Sequence, residues 1–351
     1  MKIEELIREN IRNLTTYSSA RDEFDGSDYI QLDANENPFN NGVNRYPDPY
    51  QTELKRAIAG YRGLNTENLL LGNGSDELID LIIRVFCEPG VDNVIGLKPS
   101  YGMYRVCCDI NNVDYREVGL DSNFRFNAVD VLNAIDTNTK LAFFCSPNNP
   151  TGNSLDKSEV EKFLAAFNGI VVIDEAYIDF SDKSSWTNSL SVYPQLVVIQ
   201  TFSKAFGLAS LRLGMAWASK QIIAVLNRIK PPYNVNGLTQ KAGLDALQDL
   251  TITKSQVDIL KRERDQLSKN LQTMKTVQKV FPSDANFLLV RFHEASEIYR
   301  YLLENKIVVR KRFEQFNCDN CLRISVGTPK ENEQLINTLK IFENEKSIVY
   351  R

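Results

Sequence analysis

The 351-residue sequence predicts an α/β fold: a large domain with a mostly parallel central sheet between helices, then a smaller α+β domain. Three observations carry this expectation. Short apolar runs at 94–97, 141–145, 170–173, 196–200 and 213–217 alternate with helical patterns, as buried parallel strands do when helices cover both faces. Three of these runs empty into polar clusters, and in such sheets ligands collect at the carboxyl ends of strands. After Pro231-Pro232 the texture changes to a long charged helical stretch followed by short strands and helices.

Taken in order, residues 1–30 are expected to form an arm that begins as a helix over 1–16. The large domain offers this arm no evident seat, so it is expected to join the small domain or reach a partner chain. The large domain is assigned to 31–235. It opens with a turn-rich segment from Asp33-Ala-Asn-Glu-Asn-Pro38 through Arg45-Tyr46-Pro-Asp-Pro49, which lacks any regular period. Gly72-Asn-Gly74-Ser75-Asp76 then starts a helix, with Leu78, Ile79, Ile82, Ile83 and Phe86 at helical spacing. Ser75 is placed to cap it, and Pro89-Gly90 to end it. The small domain is assigned to 236–351. It should hold a helical stretch over 239–273, a strand at 286–292, a helix at 296–305, strands at 307–310 and 322–326, and a last helix at 330–343.

Composition narrows the function. Lys+Arg number 41 against 45 Asp+Glu, the net charge is −4, and no basic patch stands out, so nucleic acid is not an expected partner. The N-terminus alternates charged and apolar residues, Arg84 interrupts the apolar run at 81–86, and nothing approaches the roughly 18 apolar residues of a membrane span. A cytoplasmic protein is expected. Six cysteines in this length do not make a disulfide scaffold, and Cys318-Asp-Asn-Cys321 lacks the second pair a zinc site needs. No metal is expected. His293 is the only histidine, at a strand-to-helix junction, which argues against histidine-dependent hydrolysis.

The chemistry lies where strands stop. Lys204 follows the run 196–200 and precedes Ala205-Phe206-Gly207, so its amine should be partly desolvated, and burial makes a lysine a better nucleophile toward an aldehyde. Asp174 ends a second run, with Tyr177 just beyond it. A third run ends in Ser146-Pro147-Asn148-Asn149-Pro150. An amine, a carboxylate, a phenol and an amide so placed are suited to holding pyridoxal 5'-phosphate. Asp174 would keep the ring nitrogen protonated, and Tyr177 and Asn149 would bond the phenolate oxygen. The phosphate would rest on the helix start at Gly74-Ser75-Asp76, beside Thr201, Ser203 and Arg212. Tyr101 could lie against the ring. Arg310 and Arg323, near strand ends in the small domain, suit a substrate carrying phosphate or carboxylate.

Together these motifs resemble the fold-type I pyridoxal-phosphate-dependent aminotransferases, and within them the histidinol-phosphate aminotransferases. The resemblance runs through LDANENP (32–38), NRYPDPY (44–50), GNGSDE (72–77), CSPNNPTGN (145–153), VVIDEAYIDF (171–180), TFSKAFGLASLRLG (201–214), SDANFLLVRF (283–292) and CLRISVGTP (321–329). It implies Lys204 as the lysine joined to the cofactor, with Asp174, Tyr177, Asn149, Ser75, Asp76, Thr201, Ser203 and Arg212 around it. It also implies a homodimer in which Tyr46 arrives from the neighbouring subunit. Tyr17, Asn149, Arg310 and Arg323 would line the substrate site. The implied reaction belongs to histidine biosynthesis: ping-pong amino transfer between L-histidinol phosphate with 2-oxoglutarate and imidazole-acetol phosphate with L-glutamate. Alternatives of the same fold are an aromatic amino-acid aminotransferase and a threonine-phosphate decarboxylase-like lyase.

Overall fold

The computed structural model of the chain describes residues 2–15 and 29–349; Tyr17 lies outside them. Two short helices, α1 (Ile3–Leu6) and α2 (Glu9–Arg12), open the chain where one helix was expected. The break has a local cause. Arg8 N bonds Val85 O at 3.0 Å, Arg8 Nη1 bonds Arg84 O at 3.0 Å, and Arg8 Nε pairs with Glu88 at 3.0 Å. The arm therefore satisfies carbonyls that a helix end leaves without partners.

Helix α3 (Thr52–Arg62) precedes the large sheet, whose strands are β1 (Leu69–Asn73), β2 (Asn93–Lys98), β3 (Asp114–Gly119), β4 (Thr139–Cys145), β5 (Ile170–Asp174), β6 (Leu196–Thr201) and β7 (Leu213–Ala218). Their order is β1-β7-β6-β5-β4-β2-β3, and only β7 runs antiparallel to its neighbours. All five runs read from the sequence are strands. The two unforeseen ones hide for different reasons. β1 has only three leucines before Gly72 and Asn73, too short an apolar run to stand out. β3 is an edge strand in which Tyr115 alone is fully buried among charged and half-covered neighbours.

Side chains leave a strand alternately, so the sheet feeds two cores. Leu141, Phe143 and Cys145 of β4 face a cluster shared with α4 (Gly74–Phe86), α5 (Met103–Ile110) and α8 (Lys220–Ile229). Ala142 and Phe144 face the other cluster, with α3, α6 (Ala128–Leu132) and α7 (Lys157–Ala166). Ile3 and Ile7 are buried in the first of these clusters, among Leu78, Ile82 and Leu226. The described start of the arm, residues 2–15, thus packs on the large domain, not the small one as expected, because α4 and α8 leave an apolar groove that those two isoleucines fill.

The expected boundary near residue 235 is corrected as well. Helix α9 (Gly237–Gln248) packs on α3, with Gly243 against Leu54 and Leu213. Helix α10 (Thr251–Gln272) begins on the large-domain core through Val257 and Leu260 and ends in the small one through Leu267 and Leu271. Arg264 fastens the crossover, donating to Phe180 O at 3.1 Å and Ala285 O at 3.2 Å. Beyond it lie β8 (Val277–Val280), β9 (Phe287–Phe292), α11 (Ala295–Glu304), β10 (Arg310–Lys311), β11 (Cys321–Ser325) and α12 (Pro329–Val349). The four strands form an antiparallel sheet in the order β10-β11-β9-β8. Phe287 and Leu289 point toward the large domain, while Leu288, Val290 and Phe292 fill the small core.

Candidate active site

The site forms at the carboxyl ends of β4, β5 and β6 and is closed from one side by β11. Asp174 ends β5 and pairs in register with Cys145 of β4 and Ile199 of β6. It is buried. Tyr104 Oη donates to its Oδ2 at 2.8 Å and Ala176 N to its Oδ1 at 3.0 Å. Burial outweighs these bonds and raises its pKa to about 6. Tyr104 is itself held by stacking on Phe143, centroids 4.9 Å apart at 13°.

Lys204 stands past the end of β6, its amine 5.8 Å from the centre of the Tyr177 ring. Desolvation of the amine, then the charges of Arg323 and Arg212, hold its pKa below the ordinary lysine value, while Asp174 pulls the other way. Tyr177 is buried edge-on to Phe287, centroids 5.1 Å apart at 84°. Burial raises its pKa, so its hydroxyl remains protonated and available as a donor.

Asn149 sits in the turn after β4, and its Oδ1 accepts a short hydrogen bond from Arg323 Nη1. The preceding Asn148 anchors that turn, donating to Pro99 O at 3.0 Å and Thr151 Oγ1 at 2.8 Å. Arg323 also lies over Phe287, 5.3 Å from the ring centre. It thereby links the small sheet to the large-domain turn.

At the other end of the cleft, α4 starts at Gly74, where φ is +76° and a Cβ would lie 2.7 Å from Arg212 Nη2. Asn73 occupies the cap position and Ser75 lies inside the first turn, so Ser75 does not cap the helix as expected. Its amide is among the free N–H groups of a helix start. Asp76 bonds Tyr101 Oη at 2.9 Å and Arg212 Nη2 at 3.3 Å. A carboxylate repels a phosphate, so Asp76 acts by holding those two side chains. Thr201 Oγ1 lies 3.0 Å from Ser203 Oγ and accepts from Ser203 N at 3.1 Å. Gly214 of β7 presses on this turn: a Cβ there would lie 2.4 Å from Gly74 C and 2.5 Å from Ser75 N.

Lys204, Asp174, Tyr177, Asn149, Tyr101, Ser75, Asp76, Thr201, Ser203, Arg212 and Arg323 are thus brought to one cleft. Arg310 borders it, opposite Arg323 in the small sheet. Tyr46 does not reach these groups within one chain; it is exposed and stacks on Tyr233 at 4.4 Å.

Residues 30–339 match the family model for aminotransferase class I and II. The chain belongs to that aminotransferase family. It is 54% identical over 345 residues to a histidinol-phosphate aminotransferase of Christiangramia forsetii, covering 98% of this chain and 99% of the relative. Among solved structures it is similar to the histidinol-phosphate aminotransferase of Clostridium acetobutylicum, with a TM-score of 0.80 and 26% identity over 86% of this chain and 92% of that one. It also shares its fold with the Sinorhizobium meliloti histidinol-phosphate aminotransferase solved in complex with pyridoxal-5'-phosphate, at a TM-score of 0.76 and 23% identity over 84% and 81%.

Sequence reading missed three residues at or next to this cleft. Tyr104 sits on α5 at core spacing, and nothing in its neighbours signals the bond to Asp174. Glu175 is a buried carboxylate accepting from Ser185 Oγ at 2.6 Å, Trp186 N at 2.7 Å and Gln200 Nε2 at 2.8 Å; burial raises its pKa to about 7. Arg312 lies two residues beyond Arg310, and that spacing could have identified it.

Proposed function

We propose that this aminotransferase carries pyridoxal 5'-phosphate and moves an amino group between L-histidinol phosphate and 2-oxoglutarate, giving imidazole-acetol phosphate and L-glutamate. The carrying observation is the cleft itself. A desolvated amine and a buried carboxylate face each other, and guanidiniums border the substrate side.

The residues present fit the cofactor. Asp174 is a buried carboxylate whose described partners are all neutral donors, which suits a cationic ring N–H. Gly74 and Gly214 keep a cradle at the α4 start that a side chain would fill, and Ser203 and Arg212 add donors there. When bound, pyridoxal 5'-phosphate supplies an aldehyde carbon and a ring that accepts the electron pair left when the substrate Cα loses its proton. Asp174 would hold the ring nitrogen protonated, Tyr177 and Asn149 would donate to the phenolate oxygen, and Tyr101 would cover the ring. Lys204, with its lowered pKa, would be the base that takes the substrate Cα proton. Arg323 and Arg310 would bind the anionic ends of the substrates.

A homodimer belongs to this reading. Ile30, Leu32 and Phe39 are 89%, 85% and 80% exposed, and Val43, Tyr46 and Tyr50 continue that apolar surface. A second copy covering it would carry Tyr46 toward the neighbouring cleft. No helix among the described residues is long and apolar enough to cross a membrane, and a cytoplasmic location is part of the proposal.

The test is spectroscopic. L-histidinol phosphate alone should convert bound cofactor from its aldehyde to its amine form, with kcat/KM above that for phenylalanine. Lys204→Ala should lower this rate by at least about 10²–10⁴-fold. Conversion by phenylalanine but not L-histidinol phosphate, or carbon dioxide release from threonine phosphate, overturns the assignment.

A further inference from the structure

Resting on that reading of the substrate, we propose that Arg312 is a third guanidinium of the anion-binding face, and that it selects phosphate tails over carboxylate tails. The small sheet dictates the placement. Arg310 stands directly opposite Arg323 in the antiparallel pair of β10 and β11. Side chains so opposed are about 4.5–5.5 Å apart at Cβ, a separation at which like charges destabilise a sheet.

Pairing continues one step beyond β10, since Arg312 N donates to Cys321 O at 3.0 Å. Alternation then puts Arg310, Arg312, Cys321 and Arg323 on one face. That face looks at the large domain. Cys321, Phe287 and Leu289 belong to the large-domain core, whereas Leu322 and Ile324 belong to the small one.

Two further observations show that the face is built for a ligand. Arg312 Nε is buried and has no hydrogen-bond partner among the described residues. Among the described residues, the groups acting most strongly on Arg312 are Arg323, Arg310, Cys318 and Tyr177, and those on Arg323 are Tyr177 and Arg310, with no carboxylate in either set. Burial and these neighbouring cations lower the Arg312 pKa to about 10, and its charge in turn acts on Tyr177 at the reacting end of the cleft. A buried donor without an acceptor is costly, and the cost is relieved when an acceptor arrives.

The chemistry of the tail decides which acceptor that is. A carboxylate offers two oxygens and one charge, which two guanidiniums satisfy. A phosphate monoester offers three oxygens and about 1.5 to 2 negative charges near neutral pH, so a third guanidinium finds a partner only with phosphate.

The experiment compares the two amino donors on the cofactor-loaded protein. In Arg312→Gln, kcat/KM for the half-reaction with L-histidinol phosphate should fall about ten- to hundredfold, mainly through KM, the range for one lost charge-assisted bond. The loss with L-glutamate should be smaller than about threefold. Inorganic phosphate should weaken as a competitive inhibitor in step. Arg312→Lys should recover part of the preference, because it keeps the charge and loses the forked geometry. Equal losses with both donors, or no loss with either, overturn the inference. Wild-type protein that fails to convert with L-histidinol phosphate overturns the functional reading instead, a result distinct from the failure of Arg312.

Discussion

Asp174 and Glu175 are neighbours in sequence but point into opposite cores, as successive strand residues must. One faces the cleft through Tyr104, the other the Ser185–Gln200 side. Their pKa values, about 6 and about 7, stand above the ordinary 3.8 and 4.5. In cofactor-free protein the folded chain therefore binds more protons than the unfolded chain between about pH 4 and pH 7, so stability falls as pH rises through that window. Each group contributes on the order of 3 kcal/mol to the fall. Asp174→Asn should shrink the decline by roughly half, read from urea midpoints of cofactor-free protein at pH 5 and pH 8. An unchanged slope removes Asp174 from this account. At this scale the sequence was most informative where chemistry sits at strand ends: Lys204, Asp174 and Asn149 could each be read from a run that stops. Tyr104 could not, because its role depends on a partner 70 positions away.

Among the elements, the start of α4 shows how closely strand and helix are fitted. β7 passes so near the first turn that a Cβ at Gly214 would press on Gly74 C and Ser75 N, while Gly74 itself adopts a φ of +76° beside the Arg212 guanidinium. Gly214→Ala would drive a methyl group into backbone, which cannot yield as a flexible side chain can. The expected outcome is at least about tenfold weaker binding of pyridoxal 5'-phosphate, since those displaced amides form the proposed phosphate cradle. An absorbance titration checks this; unchanged affinity would show that the cradle lies elsewhere. The element pattern was legible where a buried strand carries a long continuous apolar run; β1, buried but with only three leucines before Gly72, escaped it. It faded at β3, which is half solvated, and at β10, which has only two residues.

At the level of the whole molecule, Ile30, Leu32, Phe39, Val43, Tyr46 and Tyr50 are all exposed, and the proposed homodimer would cover them. Sedimentation should give twice the 39.9 kDa chain mass, and Phe39→Asp with Leu32→Asp should shift it toward one. Loss of activity in step with dissociation is expected if Tyr46 serves the neighbouring site; an active monomer counts against it. Domain layout was the least legible feature, since neither the seat of α1 nor the crossover in α10 leaves a mark in composition.

The crossover has a practical corollary. Residues 31–235 cannot be excised as an autonomous fragment: the cut would strip α9 from α3, unroof Leu54 and Leu213, and leave Phe287 and Leu289 facing water on the other piece. Because the passage between cores runs through a continuous helix, limited proteolysis should find no convenient cleavage point there, and the two lobes should melt together in a single calorimetric transition.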